Sequence, residues 1–266
     1  MIYKKLALAL VAFFIPKLMN ADDQPGLNLP SKENFQLFLL AGQSNMAGRG
    51  LIGDSEELVH ARVLALDKDG NWKSAVAPIH YDKSVAGVGL GKAFAIALAE
   101  KNEDLVIGLI PAACGGSAIS TWEPGGYHEQ TKSHPYDDAI QRARRAMEDG
   151  VLKGILWHQG ESDSKAELAE VYQTKLEDLI KRIRKDLGAS SVPFVIGQLG
   201  RFPENPWTDF RERVNQAHIQ VAKEIPLVGF VSSEGLTSNS DLIHFDSDSL
   251  KVFGKRYAKV YLELVD

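Results

Sequence analysis

The chain holds a single cysteine, Cys114, among 266 residues, so no disulfide can form within it. Long hydrophobic runs are missing too. Leu6 to Ile15 is an apolar stretch of ten residues, short of what a spanning helix needs. Positive charge is not in excess, with 30 Lys and Arg against 35 Asp and Glu and a net charge of −5. That removes the basic footprint of a nucleic-acid binder. Neither C-x-x-C nor H-x-x-x-H occurs, so a bound metal is not expected. No internal repeat or low-complexity segment interrupts the chain. What remains is an ordinary globular composition, 44% hydrophobic and 24% charged, enough for one large α/β domain.

The first residues have a different character. Lys4 and Lys5 precede the apolar stretch, and a more polar segment, Lys17 to Ala21, follows it. This is the layout of a secretory signal peptide with cleavage near Ala21, although Met19 departs from the small-residue rule at the cleavage site. Loss of residues 1–21 removes Lys4, Lys5 and Lys17 and no acidic residue, taking the net charge from −5 to −8. The segment has no cysteine to carry a lipid, so a secreted or periplasmic protein without a membrane anchor is expected. Residues 22–34, with Pro25 and Pro30, read as a linker, and residues 35–266 as one domain.

Along that domain, short apolar runs at Phe35 to Leu40, Arg62 to Asp67, Leu105 to Ile110, Gly154 to Trp157, Pro193 to Leu199 and Leu227 to Val231 predict buried strands. Between them, helices are predicted over 92–101, 136–148, 166–187, 209–223 and 247–262. The clearest is 166–187, where Leu168, Tyr172, Leu176, Leu179, Ile180, Ile183 and Leu187 share a face. Glu177 with Lys181 and Asp178 with Arg182 mark its other side. Alternating strands and helices predict a mostly parallel sheet covered on both faces. Gly87-Val88-Gly89-Leu90-Gly91 imitates a phosphate loop, but its spacing and lack of a preceding strand make it a flexible entry to a helix.

Four segments carry chemistry. Directly after the first strand stands Gly42-Gln43-Ser44-Asn45, where a tight turn would lift Ser44 off the carboxyl end of the strand as a nucleophile. A plain strand-to-helix turn with a serine cap reads equally well. Gly115-Gly116 follows the Leu105 strand and can offer a backbone N–H to an oxyanion, or simply turn the chain. Trp157 to Ser162 (WHQGES) brings His158, Gln159 and Glu161 to the same edge. Gln159 suits an oxyanion donor because an amide does not titrate. Asp241 and His244 lie three residues apart, a spacing that in a turn sets a carboxylate against one imidazole nitrogen and frees the other for Ser44. Asp246 and Ser247 read as helix caps. Trp122 could offer its ring to a ligand or merely anchor its loop.

Together these blocks resemble an SGNH/GDSL-type hydrolase. GQSNMAGRG and WHQGES are similar to carbohydrate esterase family 6 and the sialate O-acetylesterase domain. The blocks span residues 42 to 244. The usual GDS is GQS here, and Gln159 stands where standard SGNH enzymes carry an asparagine. The resemblance implies a three-layer α/β/α sandwich with five parallel strands and a cofactor-independent esterase that removes acetyl groups from sugars. It implies Ser44 as nucleophile, His244 as base, and Asp241 as its acid, with Glu161 as an alternative acid or a support. It also implies the Ser44 N–H, Gly116 and Gln159 as the oxyanion hole. Gln43, Asn45 and Arg49, flanking the nucleophile, and Trp122 are the candidates for contact with an acetylated carbohydrate.

Overall fold

The computed structural model describes residues 28–53 and 58–266. The apolar start on which the signal peptide rests lies outside the described residues, as does most of the literal Gly53-Asp54-Ser55 that imitates a nucleophile motif. Seven strands form one sheet. In chain order they are β1 (Phe35–Gly42), β2 (Val63–Leu66), β3 (Trp72–Ser74), β4 (Val106–Pro111), β5 (Val151–His158), β6 (Phe194–Gly197) and β7 (Val228–Val231). Across the sheet the order is β3-β2-β4-β1-β5-β6-β7. All pairings are parallel except β2 with β3 at one edge. The count is thus seven against the five implied by the resemblance. The antiparallel β3 went unread because it is three residues long with Lys73 exposed.

The helices are α1 (Ser44–Ala47), α2 (Leu90–Ala99), α3 (Pro135–Asp149), α4 (Ala166–Asp186), α5 (Asp209–Glu224) and α6 (Ser247–Val265). Successive side chains of a strand point to opposite faces, and β1 divides its residues accordingly. Leu37, Leu39 and Ala41 pack into the core under α3, α4 and α5, and Phe38 and Leu40 into the core under α2 and α6. A strand buried on both faces needs helices on both, which is why β1 reads as an almost unbroken apolar run. In α4, Tyr172, Leu176, Leu179, Ile180 and Ile183 are buried at the expected spacing. Lys181 lies 3.9 Å from Glu177 on the outer face. Arg182 does not pair with Asp178; it donates to the Trp122 carbonyl at 3.1 Å and stacks over Tyr136.

From β1 the chain crosses to β2, β3 and β4 on one side and then, through α3, to β5, β6 and β7 on the other. β1 is therefore the switch point, and the loops leaving the carboxyl ends of β1, β4, β5, β6 and β7 converge on one rim. The glycine-rich segment 87–91 is tied down rather than loose. Gly87 N–H donates to the Gly48 carbonyl, and Val88 and Gly50 exchange both backbone hydrogen bonds, so the segment braces the turn after β1.

Candidate active site

Ser44 is the first residue of α1, directly beyond β1. Gly42 makes the turn possible: its φ is +128°, and a Cβ there would lie 2.1 Å from the His158 carbonyl oxygen. On the far side of the rim, the loop between β7 and α6 carries Asp241 and His244. Asp241 Oδ1 accepts the backbone N–H groups of Ile243 and His244, each at 2.8 Å, while Oδ2 lies 2.6 Å from His244 Nδ1. Leu242, at φ +58°, takes the left-handed conformation that lets the loop double back. Against a carboxylate Nδ1 carries the proton, so Nε2 presents a lone pair, and it lies 2.8 Å from Ser44 Oγ. Burial pushes the Asp241 carboxyl up. The hydrogen bonds from the His244 ring and the two N–H groups outweigh it and hold the group below the ordinary carboxylate value.

Glu161 is not bonded to His244. It begins the short 3-10 helix after β5, and its Oε1 accepts Asn45 Nδ2 at 2.7 Å. Asn45 also donates to the Ile243 carbonyl at 3.3 Å and accepts the Phe245 N–H at 3.1 Å. It is buried and grips the backbone on both sides of His244, so the expectation of substrate contact at Asn45 is corrected: its polar atoms are engaged inward. His158 is buried as well, its Nε2 donating to the Gln198 carbonyl at 3.0 Å. Burial, stronger than the nearby Glu161 charge, keeps the imidazole neutral by lowering its pKa.

Three further expectations change. Gln159 Nε2 donates to the Ser117 carbonyl at 3.0 Å and to Asp163, while Oε1 accepts the Tyr172 hydroxyl at 2.8 Å. Both amide hydrogens are engaged beneath the site, so Gln159 has none left for an oxyanion. Burial pushes the Asp163 carboxyl up, against the hydrogen bonds it accepts from Gln159 and the Ile119 N–H. Arg49 turns inward to Asp82 at 2.8 Å and to the Gly48 carbonyl at 2.7 Å. Asp82 in turn accepts the Gly115 N–H at 2.8 Å. Arg49 therefore fixes the glycine loop instead of facing a ligand. Trp122 is fully buried, donating to Ser117 Oγ at 3.0 Å and packing edge-on to Trp157 at 5.0 Å, which leaves no ring face for a sugar.

Two expected donors do remain unengaged. Neither the Ser44 nor the Gly116 N–H meets a protein acceptor among the described residues. Gly116 sits at φ +86° with the Gln130 side chain beside it, where an added Cβ would lie 2.8 Å from Gln130 Oε1. Gln43 Oε1 accepts the N–H groups of Gly160 and Ser162, both at 3.3 Å, and its amide nitrogen has no protein partner among the described residues. Sequence reasoning missed Asp82, Asp163 and Tyr172, the supports beneath the site, and Gln130 with Lys83, which donates to it at 2.7 Å above Gly116. Asp82 and Lys83 are far in sequence from Gly115 and Gln130, whereas Asp163 and Tyr172 lie 4 and 13 residues from Gln159 and no motif marks them as its partners.

Ser44 does not line the widest of the cavities described among these residues. A cavity of about 710 Å³ opens at the amino edge of the sheet among Gln36, Leu105, Val151 and Val192. Among the described residues no group of three or more His, Cys, Asp or Glu is arranged to hold a metal ion.

A nucleophile-sized hydroxyl, an imidazole and a carboxylate at the switch point of an α/β/α sheet are the fold and site of a carboxylic ester hydrolase. The comparisons narrow the class. Residues 34–263 match the family model "Carbohydrate esterase, sialic acid-specific acetylesterase", and the chain belongs to that family. It is 34% identical over 262 residues to a probable carbohydrate esterase of Arabidopsis thaliana, covering 91% of this chain and 95% of that protein. The X-ray structure of the Arabidopsis protein superposes with a TM-score of 0.74, at 32% identity over 88% of this chain and 99% of the other. The crystal structure of NanS superposes with a TM-score of 0.72 at 19% identity, covering 88% of this chain and 98% of NanS. A carbohydrate acetylesterase from Xanthomonas citri gives 0.68 at 20% identity, over 86% of this chain and 56% of the other. At those identities the last two speak for the fold alone.

Proposed function

We propose that the protein is a secreted carbohydrate O-acetylesterase working through Ser44, His244 and Asp241, with acetylated xylan-type chains as substrate. The observation that carries this reading is the unbroken Asp241–His244–Ser44 hydrogen-bond chain in a member of a carbohydrate acetylesterase family. Ser44 Oγ attacks the acetyl carbonyl carbon as its proton passes to His244 Nε2. The N–H groups of Ser44 and Gly116 hold the oxyanion, each such donor being worth ~3 kcal/mol of barrier. The carbon–oxygen bond to the sugar then breaks, and His244 returns the proton to the departing sugar oxygen. Water, deprotonated by His244, attacks the acetyl-serine, releasing acetate and restoring the Ser44 hydroxyl. Asp241 holds the tautomer throughout, and Gln43 Nε2 is left to donate to the bound ester or sugar.

Export rests on the charged and apolar layout of residues 1–21. The charge of −8 after cleavage opposes strongly anionic polymers and favours neutral xylan. A second reading, O-acetylated sialic acids as substrate, is favoured by the description of the family model itself. A general short-chain esterase and a non-catalytic carbohydrate-binding relative are the other readings, and the complete hydrogen-bond chain speaks against the last. The test is acetate release from acetylated xylan by wild type and Ser44→Ala. Release by wild type alone supports the reading, release from O-acetyl sialic acids alone moves it to the second, and equal release by both proteins overturns the assignment of Ser44.

A further inference from the structure

Beyond β6 the chain runs through residues 198–207 before entering α5, and this segment forms a cleft of about 620 Å³ on the same rim as Ser44. The volume lies within the range of small-ligand sites. Its walls are mixed. Phe202, Pro203 and Pro206 supply apolar edges, and Arg201, Asp209 and Glu212 supply charge of both signs. The Arg201 guanidinium lies 4.9 Å from the centre of the Trp207 ring, an arrangement that holds its planar donors in place. Trp207 is itself fixed by its Nε1 donating to the Gly200 carbonyl at 2.6 Å.

The cleft is joined to the catalytic loop. Asn205 Nδ2 donates to the Leu242 carbonyl at 2.8 Å, and Phe202 packs edge-on against Phe245 at 5.3 Å. Leu242 and Phe245 bracket Ile243 and His244, and Leu242 is two residues from His244, a separation of about 7 Å at most. The cleft thus adjoins the loop that carries His244. The ligand must satisfy donors and acceptors together, because one guanidinium and two carboxylates face it. Hydroxyls do both, whereas an anionic ligand would meet Asp209 and Glu212 unfavourably. The C–H face of a sugar ring matches the exposed edges of Pro203 and Pro206.

We propose that this cleft is a subsite for neutral sugar rings neighbouring the acetylated one, so that the enzyme engages an oligosaccharide chain and not an isolated acetyl sugar. The inference rests on the carbohydrate-esterase reading above. Arg201→Ala and Glu212→Ala test it, with acetylated xylotetraose and p-nitrophenyl acetate as substrates. Each variant is expected to raise KM for the tetraose about tenfold, the loss of a charged hydrogen bond, with kcat unchanged. Turnover of p-nitrophenyl acetate, which has no sugar to fill the cleft, stays at the wild-type level. An unchanged KM for the tetraose in both variants, with wild type still deacetylating it, overturns the subsite and leaves the esterase reading standing. Equal loss on both substrates also overturns it, since the segment would then act only by bracing His244. Wild type that cleaves p-nitrophenyl acetate and not the tetraose defeats the carbohydrate reading and the subsite with it.

Discussion

Asn45 Nδ2 donates to Glu161 Oε1 at 2.7 Å, joining the residue after Ser44 to an acid that is not bonded to His244. Because the same asparagine holds the Ile243 carbonyl and the Phe245 N–H, it sets where His244 stands relative to Ser44. Asn45→Ala is expected to lower kcat by about ten- to a hundredfold through misplacement of the imidazole, with KM nearly unchanged. It should also lose about 1–3 kcal/mol of stability, because Phe245 N–H is left buried and unpaired. Steady-state kinetics and urea unfolding read the two effects.

The two acids separate in the same way. Asp241→Asn keeps the loop but presents the wrong partner to Nδ1, and a loss of kcat near 10⁴-fold is the expected scale for that change. Glu161→Gln preserves the hydrogen-bonding shape that Asn45 needs and should retain most of the activity. If Glu161→Gln is as dead as Asp241→Asn, the carboxylate of Glu161 takes part in the chemistry after all.

Trp122 is a packing residue here, and its substitution should behave as one. Trp122→Ala removes a fully buried ring packed on Trp157, at an expected ~3–5 kcal/mol of stability. At a temperature where the variant remains folded, its KM for acetylated xylan should match wild type. A selective rise in KM without loss of stability would return Trp122 to the substrate.

Acid stability follows from the buried imidazoles. Burial lowers His80 to about 4 and His218 to about 3, from an ordinary value of 6.5, and lowers His158 too. Between 6.5 and those values the unfolded chain binds protons that the folded chain refuses. Stability is therefore fully present above pH 6.5 and falls as the pH drops, by roughly 1 kcal/mol per pH unit for each of His80 and His218, with His158 acting in the same direction. Urea unfolding at pH 7.5, 6 and 5 should give a steep decline, and His218→Phe a shallower one. An equal slope in the variant would mean that His218 is not one of the groups responsible.

How far the sequence could be read varied with what each residue does. The strand Phe35–Gly42 was legible because burial on both faces leaves an unbroken apolar run, and the helix Ala166–Asp186 because one buried face leaves a helical period. That Ser44, Asp241 and His244 meet was legible because such a hydrogen-bond chain restricts both residue type and spacing. Arg49, Asn45, Gln159 and Trp122 were recognised as residues that matter, yet their direction was misjudged. A polar side chain beside a nucleophile can face the ligand or the scaffold, and only the packing of Asp82, Glu161, Asp163 and Ser117 around them decides which. The loop side of the cleft at Arg201 and Trp207 left no trace, since it has no periodicity, although its other wall, Asp209 and Glu212, lies on the helix that was legible.

Asp241 and His244 meet within one four-residue loop, while Ser44 reaches them from 200 residues away. Of the two distances the relay depends on, one is thus a local property of a peptide and the other a measurement taken across the whole molecule. The acid–base pair can survive loosening that the serine contact cannot. Under the proposed mechanism, activity reports how closely the carboxyl ends of β1 and β7 keep their relative positions, and inactivation is expected to run ahead of unfolding.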